Sequence, residues 1–78
     1  MKEEKLRQAF VEALGIPADK VTDDLRFSSV KQWDSVAHMV LVVAIEETFD
    51  ILMETEDVIN MSSFLRAKEI LSKYGIKD

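Results

Sequence analysis

Between Asp34 and Asp50 the chain runs for fourteen residues, Val36 to Phe49, without a glycine or proline, and all but one of Val36–Ile45 are apolar. His38 is the single interruption. Such a run reads as a helix, yet it is far short of the roughly 20 apolar residues a membrane span needs. Nor does it have one clean apolar face, because its side chains point in every direction around the axis. A chain of 78 residues buries only about 60% of the surface its unfolded form exposes, so a helix within it cannot be covered on all sides. At 100° per residue, Leu41, Val42, Ile45 and Phe49 form a stripe suited to the interior. Val36, Met39 and Val43 stack elsewhere and are candidates for contact with a partner. Asp34 is a good N-cap for this helix, with Ser35 at its first position. Glu46 and Glu47 lie toward its far end, where they oppose the helix dipole.

The rest of the chain supplies elements to pack against it. Leu6, Ala9, Phe10, Ala13 and Leu14 recur at three-and-four spacing, which predicts a first helix from about Lys2 to Leu14, stopped by Gly15 and Pro17. Ile16 can fold back onto its last turn. From Pro17 to Trp33 no period holds, but Val21, Leu25, Phe27, Val30 and Trp33 tie a long loop to the core, and Thr22-Asp23-Asp24 would cap a short helical turn in it. An ordered loop of this length tends to be functional. Thr55 with Glu56 and Asp57 starts a short third helix with Val58, Ile59 and Met61 on its apolar side. Ser62 or Ser63 caps a last helix through Tyr74, striped by Phe64, Ala67, Leu71 and Tyr74 and ended by Gly75. The expected fold is all-α: a four-helix bundle with a long first loop and a short third helix, one domain over residues 1–78.

Charge is segregated. The net charge is −5 and the pI near 4.8, against phosphate-backbone binding, which draws on Lys and Arg. From Asp34 to Leu65 stand Asp34, Glu46, Glu47, Asp50, Glu54, Glu56 and Asp57 with no Lys or Arg. Such a field can steer a basic partner. No cysteine is present, which excludes disulfides, thiolate chemistry and Cys-based zinc sites and fits a reducing, cytoplasmic setting. One histidine and no calcium-loop pattern leave no metal site. The charged start Met1-Lys2-Glu3-Glu4-Lys5 is no signal peptide. Ser35 and His38 share a helix face beside Asp34, but spacing alone supplies neither an oriented third group nor an oxyanion site, so no enzyme is read from them.

Trp33-Asp34-Ser35-Val36, leading into an apolar helix that closes with Glu46-Glu47-Thr48-Phe49-Asp50, resembles the Asp-Ser-Leu attachment motif and second helix of acyl carrier proteins. The likeness covers nearly the whole chain. It implies a non-enzymatic carrier whose Ser35 hydroxyl accepts 4'-phosphopantetheine from coenzyme A, delivered by a separate phosphopantetheinyl transferase that also reads Asp34. A phosphodiester there would meet unpaired amides and the positive end of the helix dipole. By the same likeness Glu46, Glu47, Glu56 and Asp57 would meet basic patches on acyl-loading, condensing and acyl-transfer enzymes, with Val36, Met39 and Val43 in apolar contact. Leu41, Ile45, Phe49, Ile59 and Phe64 would lie in the core near a space for the acyl chain, and a monomer is expected. Val36 replaces the usual Leu, and acids often found at the positions of Ala37 and Val40 are missing. The cargo therefore stays open among fatty-acid, polyketide and specialised-lipid intermediates. An aminoacyl or peptidyl carrier is the alternative within the family, and an unmodified acidic adaptor the alternative outside it.

Overall fold

The computed structural model describes residues 2–76. Four α-helices are present among them: α1 (Lys2–Leu14), α2 (Ser35–Phe49), α3 (Thr55–Asn60) and α4 (Phe64–Lys73), with a 3-10 turn at Ala18–Lys20 in the first loop. The all-α fold read from the sequence is the fold observed. Its centre is aromatic: the Phe10 ring stands edge-on to Trp33 at 5.3 Å and to Phe64 at 5.2 Å. Leu6, Leu41, Ile45, Met61 and Ile70 pack around these three rings, all buried. Phe10 of α1 thus touches both Trp33 of the loop and Phe64 of α4, and these two contacts bind sequence-distant parts into one core.

Helix ends follow local chemistry. Gly15 takes a left-handed conformation (φ 68°) and its N–H bonds to Val11 O at 2.9 Å, while Ile16 folds back and is buried, as expected. Asp50 closes α2 in the same conformation (φ 54°) without being glycine, a role Asp tolerates better than most residues. At the end of α4 the Gly75 N–H reaches Ser72 O and the Ile76 N–H reaches Leu71 O, both at 3.1 Å, a Schellman pattern. Of the two serines offered as its cap, Ser63 does the work, its Oγ accepting from the Arg66 N–H at 2.9 Å.

Several boundaries differ from expectation. The helical turn in the first loop precedes Thr22, because Pro17 sets an extended entry (φ −67°) directly before Ala18. Thr22 instead accepts from the Leu25 N–H at 2.9 Å and makes a single turn. α3 does start at Thr55, as expected, with Glu54 as its N-cap residue and no side chain capping it. Tyr74 lies just past α4 as its C-cap. Ile59 is not core but 73% exposed, and Phe49 is only partly buried. The loop itself is stitched to α4: Phe27 N–H donates to Ser62 O at 2.8 Å and Phe64 N–H to Leu25 O at 3.1 Å, framing a bridge between Arg26 and Ser63. Those bonds hold Trp33 in the core and so fix where α2 begins.

Candidate functional site

Asp34 and Ser35 sit where the first loop turns into α2. The Asp34 Oδ1 accepts from the Ala37 N–H at 2.9 Å and its carbonyl from the His38 N–H at 2.8 Å, so Asp34 is the N-cap. Ser35 follows at the first helical position with its side chain exposed and, among the described residues, in no hydrogen bond. The amides of Ser35 and Val36 precede the internal ladder of the helix and are left for solvent or a ligand. A phosphodiester on the Ser35 oxygen fits this corner: the hydroxyl is accessible, two amides lie beside it, and the dipole is favourable to an anion.

His38, one turn farther, is committed elsewhere. The Trp33 indole can only donate, and it does so to His38 Nδ1 at 3.0 Å, which leaves the ring proton on Nε2 to reach Val58 O at 2.8 Å. The imidazole also lies nearly parallel to the indole, at 19°. His38 thus staples α2 to the loop on one side and to α3 on the other. With both nitrogens engaged it has none free to take a proton from Ser35, and the Ser35–His38 pairing on one helix face has no catalytic content. Its ring forms one wall of a groove of about 470 Å³ that opens beside Ser35, lined also by Phe27, Met39, Val58, Ile59, Met61 and Ser62. Ile59, which the family resemblance placed in the core, lies here.

Around this corner the expected contact residues divide. Val36, Met39 and Val43 are exposed, and Val40 joins them. Leu41, Val42 and Ile45 are buried on the opposite side of α2. Glu47 and Glu56 are exposed, whereas Glu46 is half-buried and its Oε2 accepts from the Met53 N–H at 2.9 Å, holding the turn after α2. Asp57 departs from expectation. It is 4% exposed, with Lys73 Nζ donating to Oδ1 and the Tyr74 hydroxyl to Oδ2, each at 2.6 Å. The Tyr74 oxygen in turn accepts from the Glu54 N–H at 2.9 Å, so α3, which lacks a side-chain cap, is held from α4. These bonds, Lys73 first and Tyr74 second, keep the Asp57 carboxyl below the usual carboxylate range, and the bond to Asp57 raises both Lys73 and Tyr74. Asp57 is therefore removed from the exposed acidic face, because a counter-ion 16 residues away in sequence folds over it. The Val40 exposure was legible in principle, since it is four residues from Val36 and three from Val43. The His38 staple was not.

Comparison with known proteins agrees with this geometry. The family model described as "Phosphopantetheine attachment site" matches residues 4–66. An acyl carrier protein of Akkermansia muciniphila is 41% identical over 61 residues, which span 78% of this chain and 76% of that protein. An acyl carrier protein of Buchnera aphidicola subsp. Acyrthosiphon pisum is 27% identical over 75 residues, 96% of this chain and 94% of its own. With the attachment-domain match running from α1 into α4 and around the Asp34–Ser35 corner, this chain belongs to the acyl carrier proteins, carriers of covalent 4'-phosphopantetheine rather than enzymes.

Proposed function

We propose that Ser35 is the attachment residue and that the arm it bears carries acyl groups as thioesters for fatty-acid, polyketide or specialised-lipid synthesis. In the attachment step the Ser35 oxygen bonds to the phosphorus of coenzyme A next to pantetheine. The bond from that phosphorus to the adenosine bisphosphate breaks, and the transferase takes the serine proton. The carrier's own residues contribute the accessible hydroxyl, the cap by Asp34 that starts α2 there, and the unbonded amides beside it. Glu47 and Glu56, with Val36, Met39 and Val43, would face the transferase and the acyl-loading, condensing and acyl-transfer enzymes.

One observation favours acyl over aminoacyl cargo. The groove beside Ser35 has no carboxylate among its lining residues, and the His38 nitrogens are both taken. An ammonium entering it would lose water and gain no counter-charge, whereas an alkyl chain would bury apolar surface. Mass spectrometry after incubation with coenzyme A and a broad-specificity phosphopantetheinyl transferase tests the assignment. Wild type should gain one phosphopantetheine, and Ser35→Ala none while staying helical. Labelling of Ser35→Ala, or a wild type unlabelled by several transferases, would sink it.

A further inference from the structure

The groove beside Ser35 lies among the first loop, α2 and α3, and the His38 ring is one of its walls. That ring is bonded at both ends, to the Trp33 indole through Nδ1 and to Val58 O of α3 through Nε2. Phe27 stands edge-on to it at 5.6 Å and Trp33 is stacked on it at 6.0 Å. The imidazole is therefore a fixed crosspiece between α2 and α3. Leu41 and Ile45, three and seven residues farther along α2, continue the same helix face and are buried. Neither lines the groove, which thus ends at His38, short of the core. Moving the ring aside would leave the N–H of the fully buried Trp33 indole without its acceptor and Val58 O without its donor. An alkyl chain offers neither group a replacement.

We propose that His38 is a specificity-determining residue for cargo length: it closes the groove ahead of the core, so that a short acyl chain is covered and the surplus of a longer one stays on the surface. The inference rests on the carrier reading above and narrows its cargo to short-chain acyl thioesters. The remaining walls commit the groove to an alkyl occupant, since Phe27, Met39, Val58, Ile59 and Met61 are apolar. To go deeper, a chain would have to gain more from burying methylenes among Leu41 and Ile45 than the two broken hydrogen bonds and the displaced ring contacts cost. The interior gives it little room for that gain, because the Phe10, Trp33 and Phe64 rings already fill the centre.

Octanoyl and tetradecanoyl groups, loaded from their coenzyme A esters by a broad-specificity phosphopantetheinyl transferase, test this beside the unacylated holo form. In wild type the two acyl forms should melt within about 2 °C of each other, whereas in His38→Ala the tetradecanoyl form should melt at least about 5 °C above the octanoyl form, because added methylenes then find apolar cover. A purely structural His38 would lower every form alike and leave no dependence on chain length. If His38→Ala folds poorly, Trp33→Phe combined with His38→Ala removes the orphaned indole N–H and permits the same comparison. Trp33 is the only tryptophan, so its indole N–H gives one proton resonance, which should keep its holo position in both wild-type acyl forms. A wild type that gains stability from the longer chain as the variant does, or whose indole signal moves with that chain, would overturn the proposal. Equal melting of the two acyl forms in the variants would overturn it too, and each of these results leaves the carrier reading intact. A wild type that no transferase labels would remove both.

Discussion

At the scale of single residues, two polar groups in the interior determine how the short third helix is held. His38 gives its Nδ1 to the buried Trp33 indole and its Nε2 proton to Val58 O. Replacing it with Leu would leave the N–H of the fully buried Trp33 indole without its acceptor. His38→Leu should therefore cost about 1–3 kcal/mol in denaturant melts, and an unchanged midpoint would show that the staple is dispensable. Asp57 provides a second, pH-dependent tie. Its folded pKa is depressed by Lys73 and Tyr74, so its contribution is fully present above the unfolded value of roughly 3.9 and is lost as pH falls through the folded value. Asp57→Asn should be less stable than wild type near neutral pH, and the gap should narrow below about pH 4. Melts of both proteins across that range would check the sign, and a gap that widened in acid would contradict it.

At the scale of elements, α2 carries both core residues and the exposed apolar strip proposed to meet partners. Leu41 is fully buried and Met39 is not, although both are long apolar residues two positions apart. Leu41→Ala should cost about 2–5 kcal/mol, a large part of the roughly 4–12 kcal/mol available to a domain of this size. Met39→Ala should cost under about 1 kcal/mol yet slow enzymes that act at Ser35. Denaturant melts beside modification rates would separate the two effects; a Met39→Ala protein as unstable as Leu41→Ala would mean the exposed strip packs on something. The face assignment itself was readable from 100° geometry, because the buried set Leu41, Val42 and Ile45 clusters on one arc. The start of α2 was readable as well, from Asp34 as cap, whereas its end at Asp50 carries no Gly or Pro to mark it.

At the scale of the whole molecule, charge is distributed so that the half containing α2 and α3 is acidic. Asp57 is matched by Lys73, and Glu46 is occupied with the Met53 amide, so Glu47 and Glu56 are the exposed acids best suited to meet a basic partner. Reversing both to Lys should slow loading by the transferase at low salt, and wild-type loading should weaken as salt rises, since the field of exposed charges reaches about 10 Å at 0.1 M. Equal low-salt rates for both proteins would refute electrostatic docking. No helix among the described residues is long and apolar enough to cross a membrane.

Local information sufficed for whatever depends on neighbours in the chain. The helices, the cap Asp34, a serine cap at Ser62 or Ser63, the stops Gly15 and Gly75, and the place of Ser35 at a helix mouth all follow from interactions within a few residues, and those were legible in the sequence. The pairing of Asp57 with Lys73 and Tyr74, the bonds from His38 to Trp33 and Val58, and the exposure of Ile59 beside the groove were not. A carboxylate or imidazole has the same local signature whether it faces water or a partner from another helix. Only the packing of α3 against α2 and α4, and of the first loop against α2, brings those partners within hydrogen-bond reach, so only the tertiary structure decided which acids stay exposed and which hold the fold together.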